Sequence, residues 1–231
     1  MIGDRAAAVR ERIARAAERA GRRPDEVTLV AVSKTFPPEA VRDAFEAGLR
    51  HFGENKVQEA ERKLVGLEPL RKRGARFHLV GHLQGNKARR AVQLFDLIHS
   101  LDSIELGQRL ERIGAELGRP IDVLVQVDLA GEATKFGLDA KHLQPALEAF
   151  RGLKQVRARG LMVLPPLEAA EEVRPYFRRL RELGERAFRD GLLYACELSM
   201  GMSGDLEVAV EEGATIVRVG TAIFGERPPR G

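Results

Sequence analysis

A regular alternation of short apolar runs with longer amphipathic segments is the feature of this 231-residue sequence that most constrains its fold. The apolar runs have the length of β-strands, and several are apolar throughout, as expected for strands that are covered on both faces. Eight such repeats predict a parallel sheet that closes into a single (β/α)8 barrel, which is an α/β fold of the TIM-barrel type. The predicted strands are residues 27–33, 50–53, 76–80, 97–100, 122–127, 156–162, 197–199 and 216–219.

One additional helix precedes the first strand. Val9, Ile13 and Ala16 recur at helical spacing within residues 3–20, and Gly21 follows as a stop signal. No linker rich in proline, glycine or serine divides the sequence, so we expect residues 1–231 to form one domain. The helices predicted to follow the strands are residues 38–47, 57–65, 87–94, 103–117, 141–150, 169–189 and 204–212.

Composition limits the classes of partner. The net charge is +4, but most arginines stand among glutamates, as on solvated helix faces, so we expect no nucleic-acid partner. The single cysteine, Cys196, excludes an internal disulfide and fits a reducing compartment. The N-terminus lacks the apolar core of a signal peptide, and no run reaches the length of a membrane span. We therefore expect a cytoplasmic protein that has no membrane partner.

A lysine stands at the end of the first predicted strand, which is where the active sites of parallel barrels lie. Lys34 directly follows the apolar run of residues 27–33. Burial disfavours an ammonium group and lowers the pKa of a lysine, and the neutral amine is the form that attacks an aldehyde. Lys34 is therefore a candidate for a Schiff base with a carbonyl substrate or with pyridoxal 5'-phosphate (PLP). The alternative is a strand end whose lysine simply reaches water.

The loops after the seventh and eighth strands form a candidate phosphate site, as they frequently do in this fold. Ser199, Gly220 and Thr221 could offer hydroxyl and backbone N–H groups to a phosphate, and glycines allow a close approach. The alternative is that the glycines of these loops make turns and that Ser203 caps a helix.

Arg218 lies within the apolar eighth strand, which neighbours the first strand in a closed barrel. Because adjacent strands are about 4.8 Å apart, Lys34 and Arg218 are expected near each other. A buried guanidinium needs an acceptor, which a carboxylate or an aromatic ring nitrogen could supply. An ordinary ion pair with a carboxylate of the barrel is the alternative.

Five segments of the sequence resemble the pyridoxal phosphate homeostasis protein family, whose members are single-domain relatives of the barrel of bacterial alanine racemase. The resemblance runs essentially from end to end and implies an alanine-racemase-like fold, the type III fold of PLP proteins. The matching segments are residues 29–34, 51–59, 77–87, 198–203 and 217–225.

The resemblance also implies roles for particular residues. Lys34 would carry PLP as an internal aldimine, and Arg218 would face the pyridine nitrogen. The other cofactor-binding candidates are Ser199, Gly220 and Thr221 at the phosphate, Asn55 near the ring, and His78 and Met200 close to the site. We expect no metal site, because strand and glycine surround His78 and His82, whose spacing would suit zinc only on a helix.

The same resemblance bears on activity. An arginine keeps the pyridine nitrogen unprotonated, which makes the ring a poorer electron sink. Alanine racemase adds a tyrosine base from its second domain, whereas Tyr176 and Tyr194 of this chain fall away from the site. We therefore expect a monomeric protein that binds PLP, delivers it to PLP-requiring apoenzymes and supports vitamin B6 and amino-acid balance. A weak amino-acid racemase, with His78 as the second base, is the alternative.

Overall fold

The computed structural model describes residues 1–131 and 136–226 and contains the predicted barrel. Eight parallel strands close in the order β1-β2-β3-β4-β5-β7-β8-β9, and β9 pairs with β1. A further two-residue strand, β6, lies beside β5 and was not predicted. The strands are β1 Thr28–Val32, β2 His51–Glu54, β3 Arg76–Leu79, β4 Leu97–Leu101, β5 Ile121–Asp128, β6 Leu138–Asp139, β7 Val156–Met162, β8 Glu197–Ser199 and β9 Ile216–Val219.

The helices follow the strands and cover the outside of the barrel. One begins later than predicted, at Arg174 rather than residue 169, because Pro175 fits only the first turn of a helix. Pro69 likewise opens a separate short helix that was not predicted. The helices are α1 Ile2–Arg19, α2 Pro38–Glu46, α3 Val57–Leu64, α4 Glu68–Lys72, α5 Ala88–Leu94, α6 Ile104–Leu117, α7 Leu143–Arg151, α8 Arg174–Arg189, α9 Leu206–Glu211 and α10 Thr221–Phe224.

The buried apolar side chains form two layers. The larger layer lies between the strands and the helices and contains the fully buried rings of Phe45, Phe52, Phe77, Phe150 and Phe177. The smaller layer fills part of the barrel interior and includes Val30, Val32, Leu124, Met162 and Ile216. Because successive residues of a strand face opposite sides, one set of alternate positions faces the barrel interior.

Helix α1 packs against α9 and α10, beside the loops that follow β8 and β9. Its apolar face, which includes Val9, Ile13 and Ala16, is buried. At the edge of this face, Arg12 donates to Glu207 of α9 at 2.6 Å and to the carbonyl oxygen of Ser203 at 3.0 Å. In the described part of the chain, no helix combines the length and apolarity that crossing a membrane requires.

Candidate functional site

Lys34 lies in a tight turn directly after β1. The N–H of Phe36 donates to the carbonyl oxygen of Ser33 at 3.0 Å, so Lys34 and Thr35 are the two central residues of the turn. Thr35 has a φ of 70°, which a type II turn requires at this position but which a β-branched residue adopts only at a cost of about 1–3 kcal/mol. The turn therefore holds Lys34, which is partly buried, at the C-terminal ends of the strands, called the rim below.

Two contacts fix this turn from opposite sides. Phe36 stacks on Phe224 of α10, with ring centroids 5.2 Å apart. On the other side, the backbone N–H of Thr35 donates to a carboxylate oxygen of Glu59 in α3. The loop that carries Lys34 is thereby tied both to the loops after β9 and to the helix after β2.

A buried ion pair lies beneath the turn. The ammonium of Lys63 donates to Oε1 of Glu54 at 2.7 Å and to the carbonyl oxygen of Ser33 at 2.8 Å. The hydroxyl of Ser33 also donates to Oε1 of Glu54, at 2.6 Å. Burial raises the pKa of the Glu54 carboxyl, and Lys63 opposes that shift. This pair was not predicted from the sequence, although an acid at the end of an apolar strand is a signal for one.

Asn55 is the first residue after β2 and lies at the rim. Gly81, after β3, passes so close that an added Cβ would lie 2.3 Å from the carbonyl oxygen of Asn55. Asn55 and Thr35 line a cleft of about 1140 Å³ that lies over the ends of β1, β2 and β3, beside the turn of Lys34. This cleft gives the rim an opening to solvent.

Arg218 is buried on β9, the neighbour of β1, and pairs in register with Val30. Its side chain is 4% exposed, donates from Nη1 to Oγ of Ser199 at 2.6 Å, and donates from Nη2 to the carbonyl oxygen of Val163 at 2.9 Å. Burial lowers the pKa of Arg218 to about 10, and the charge of Asp205 opposes the shift. Within residues 1–131 and 136–226, no carboxylate forms an ion pair with Arg218, so the ordinary ion pair considered above is not found.

Ser199 and Met200 are predicted site residues that do not reach the rim. Ser199 is completely buried in the barrel interior, where its Oγ contacts Arg218 and Nδ1 of His99, the latter at 2.9 Å. Its hydroxyl is thus used inside the barrel, which argues against a direct phosphate contact. Met200 follows it and faces the opposite side, where it is fully buried in the layer between strands and helices.

Ser203 takes the position that was predicted for Ser199. Its Oγ accepts a hydrogen bond from the backbone N–H of Ala222 at 3.3 Å, which brings the loop after β8 to the start of α10. Gly220 packs against the end of β1, since an added Cβ would lie 3.3 Å from the carbonyl oxygen of Val32. Thr221 is exposed beside it. Ser203, Gly220 and Thr221 therefore form a polar group at the rim.

His78 lies inside the barrel rather than at the rim. It is 4% exposed, and burial lowers its pKa to about 3, so it is neutral at pH 7. Its ring bonds to two further histidines, His51 and His99, which the sequence analysis did not single out. The available signal was one histidine on each of three consecutive predicted strands. His82 is separate from this group, because its Nδ1 lies 2.9 Å from Oδ2 of Asp102.

Neither tyrosine lies beside Lys34 in the way a second base would require. The hydroxyl of Tyr194 accepts from Nη1 of Arg151 at 3.2 Å, and its N–H bonds to the carbonyl oxygen of Ala158 within β7. Tyr176 lies in the first turn of α8 and packs against the layer between strands and helices.

Comparison with known proteins gives consistent matches along the chain. The family model of the alanine racemase N-terminal domain matches residues 5–228. The pyridoxal phosphate homeostasis protein of Aquifex aeolicus (strain VF5) is 44% identical over 225 residues, which are 97% of this chain and 97% of that protein. That of Escherichia coli (strain K12) is 40% identical over 228 residues, 98% of this chain and 97% of that protein.

Solved structures agree with these matches. PipY of Synechococcus elongatus PCC7942, in its structure with PLP bound, has a TM-score of 0.86 and 44% sequence identity. The alignment covers 97% of this chain and 100% of PipY. These similarities extend over nearly the whole of each of these proteins. The chain therefore belongs to the pyridoxal phosphate homeostasis protein family, within the wider family of the alanine racemase N-terminal domain.

Proposed function

We propose that this chain binds PLP as a Schiff base on Lys34 and acts in PLP homeostasis. The observation that carries the proposal is the buried Arg218 guanidinium, which lies on the strand beside the one that leads to Lys34 and forms no ion pair with a described carboxylate. An aromatic ring nitrogen would accept one of its remaining N–H donors. The PLP-bound structure of PipY, which aligns with 97% of this chain, supports the binding of PLP.

The rim residues fit the parts of this cofactor. Bound PLP would supply an aldehyde, and the amine of Lys34 would attack the aldehyde carbon with release of one water. Arg218 would donate to the pyridine nitrogen, and Asn55 would lie near the ring. We assign the phosphate to Ser203, Gly220 and Thr221 rather than to Ser199, because the Ser199 hydroxyl is buried against Arg218 and His99.

We further propose that the chain binds and delivers the cofactor without efficient catalysis. A racemase needs a second acid–base group opposite the lysine. His78, the candidate for that role, is neutral and enclosed within the barrel, and both tyrosines bond or pack elsewhere. The proposal includes a cytoplasmic monomer that passes PLP to apoenzymes and supports amino-acid balance.

Absorbance titration with PLP tests the covalent attachment. We expect an imine absorbance band in the unmodified protein and in Lys56→Ala, which removes an exposed lysine of the neighbouring cleft. Lys34→Ala should lack the band. After borohydride reduction, peptide mass spectrometry should place the added mass on Lys34. An unchanged spectrum in Lys34→Ala would refute the proposal.

Hydrogen–deuterium exchange at Cα of added amino acids tests the absence of catalysis. We expect the PLP-loaded protein to show exchange no faster than free PLP gives under the same conditions. Rapid exchange that disappears in Lys34→Ala would instead show a racemase-like enzyme.

A further inference from the structure

Three histidines on the neighbouring strands β2, β3 and β4 form a hydrogen-bonded chain through the interior of the barrel. The chain leads from His51 to Ser199 on β8. Nδ1 of His51 lies 2.9 Å from Nε2 of His78. Nδ1 of His78 lies 2.9 Å from Nε2 of His99. Nδ1 of His99 lies 2.9 Å from Oγ of Ser199, which accepts from Arg218. We call His51, His78, His99 and Ser199 the relay.

The relay ends at opposite sides of the barrel. At one end, Ser199 accepts a hydrogen bond from Arg218 at the proposed cofactor site. At the other, His51 and His78 line a cavity of about 280 Å³ together with residues from the N-terminal ends of the strands. The charged residues that line this cavity all take part in ion pairs and are Glu26, Asp96, Asp122, Arg159 and Glu197.

Each ring of the relay has one donor and one acceptor, because all three histidines are neutral at pH 7. Burial lowers the pKa of all three, to about 3 for His78 and well below the ordinary value for His99. A neutral imidazole has an N–H on one nitrogen and a lone pair on the other. The relay can therefore run in only two directions, with every ring protonated on Nε2 or every ring protonated on Nδ1.

The charge of Arg218 selects between these two directions. Its Nη1 donates to Ser199, so a lone pair of Oγ points to the cation and the hydroxyl hydrogen is free to point to Nδ1 of His99. His99 must then donate from Nε2 to His78, and His78 from Nε2 to His51. In this direction every dipole has its negative end towards the guanidinium. The reverse direction would point each N–H towards a buried positive charge, which is unfavourable at low dielectric.

We propose that the relay is a set of positioning residues, polarised with all three histidines as Nε2–H tautomers, that holds the Arg218 guanidinium in place at the cofactor site. Aligned hydrogen bonds strengthen one another, so the oxygen of Ser199 is a better acceptor for Arg218 than an isolated hydroxyl. The tautomers follow from the geometry of the relay, the neutrality of its rings and the charge of Arg218. The consequence for the cofactor rests on the proposed function of Arg218.

NMR of the ¹⁵N-labelled protein without cofactor tests the tautomers, because two-bond correlations distinguish protonated from bare ring nitrogens. We expect Nε2–H tautomers for His51, His78 and His99 at pH 7. The exposed His142 of the same chain serves as the internal reference for a ring outside the relay. An Nδ1–H tautomer or a charged ring at any of the three positions would overturn the proposal.

Long-range coupling tests whether the rings act as one unit. Ser199→Ala should shift the ring ¹⁵N resonances of His51, although the rings of His99 and His78 lie between the two residues. The resonances of His142 should not change. In a His78→Phe background the same substitution should no longer shift His51. Should His78→Phe fail to fold, as judged by circular dichroism, His78→Met interrupts the relay in the same way. His51 resonances that ignore Ser199→Ala would refute the relay.

The absorbance spectrum of PLP-loaded protein tests positioning. His99→Leu should shift the imine band, because Arg218 loses its polarised partner, whereas His142→Leu should not. An unshifted band together with correct tautomers would show that the relay does not position Arg218. If instead no imine band forms in the unmodified protein, the proposed function fails while the tautomer measurement still stands.

Discussion

The buried pair of Lys63 and Glu54 gives a quantitative prediction for folding stability. Lys63→Met keeps an unbranched apolar chain but removes the ammonium that donates to Glu54 and to the carbonyl oxygen of Ser33. The Glu54 side chain is 1% exposed, so its carboxylate cannot regain water. Because an unpaired buried charge costs more than taking up a proton from solvent, Glu54 should become neutral in this variant.

The protonation of Glu54 sets the size of the effect. Its ordinary pKa is 4.5, so keeping it neutral at pH 7 costs about 3.4 kcal/mol, at about 1.4 kcal/mol for each pH unit above the pKa. The lost hydrogen bond to Ser33 adds about 1 kcal/mol. We therefore expect Lys63→Met to lower the free energy of unfolding by at most about 4 kcal/mol at pH 7 and at most about 2 kcal/mol at pH 5.5, because burial already raises the pKa of Glu54 in the unmodified protein.

The direction of the pH dependence follows from linkage. A carboxyl whose pKa is higher in the folded chain holds a proton that the unfolded chain releases, so the variant loses stability as the pH rises above 4.5. The unmodified protein should have a smaller slope, because Lys63 opposes the shift. Urea unfolding followed by circular dichroism at the two pH values measures this difference.

Two further variants complete the test. Lys72→Met replaces an exposed lysine and should stay within about 0.5 kcal/mol of the unmodified protein. Combining Lys63→Met with Glu54→Gln removes the buried acid and should recover most of the loss at pH 7. The reasoning is refuted if the loss is the same at both pH values, or if the double variant is as unstable as Lys63→Met.

Three other predictions concern packing, charge and the cofactor. Gly160→Ala should lower the free energy of unfolding in urea by about 3 kcal/mol or more, because the added Cβ would lie 1.9 Å from the carbonyl oxygen of Glu197. Gly152→Ala is the control, because a Cβ there would make only ordinary contacts. Glu212→Gln should cost about 1–2 kcal/mol at pH 7. Burial raises the pKa of Glu212, but its hydrogen bonds with arginines outweigh burial and lower that pKa overall. Because protonation removes the stabilising carboxylate, the loss measured by thermal unfolding should shrink below pH 4.5. Ser203→Ala should weaken PLP binding about tenfold in absorbance titrations, because it removes about one hydrogen bond. Ser103 caps α6 and serves as the control, so an equal loss of binding in Ser103→Ala would contradict the assignment of Ser203.

The barrel was predictable because strands that are buried on both faces appear in the sequence as continuous apolar runs. All eight barrel strands are found within two residues of their predicted bounds. The short elements were not predictable in the same way. Strand β6 has two residues, and α4 follows α3 through a single 3-10 turn, so neither produces a period long enough to recognise.

The positions of Lys34 and Arg218 in the fold were predictable, because Lys34 directly follows one apolar run and Arg218 lies within another. The bounds of β8 were predicted, but the sequence did not reveal that Ser199, its last residue, faces the barrel interior and contacts Arg218 and His99. Ser199 still faces inward with the strand, whereas Ser203 lies beyond Gly201, whose φ of 90° turns the chain. The pairing of Lys63 with Glu54 links a helix and a strand, and such contacts cannot be read from periodicity.

The ion pair beneath Lys34 also shows which lysine balances the buried acid at this strand end. Val32 pairs with Gly53 in the sheet, so the buried carboxylate of Glu54 lies opposite Ser33. A lysine that forms an ion pair with such an acid is held in its charged ammonium form. Lys63 of α3 supplies that cation instead, with Ser33 completing the pair. The amine of Lys34 is thus not needed as the counter-ion of Glu54. The fold separates the lysine that stabilises the strand end from the lysine proposed to react.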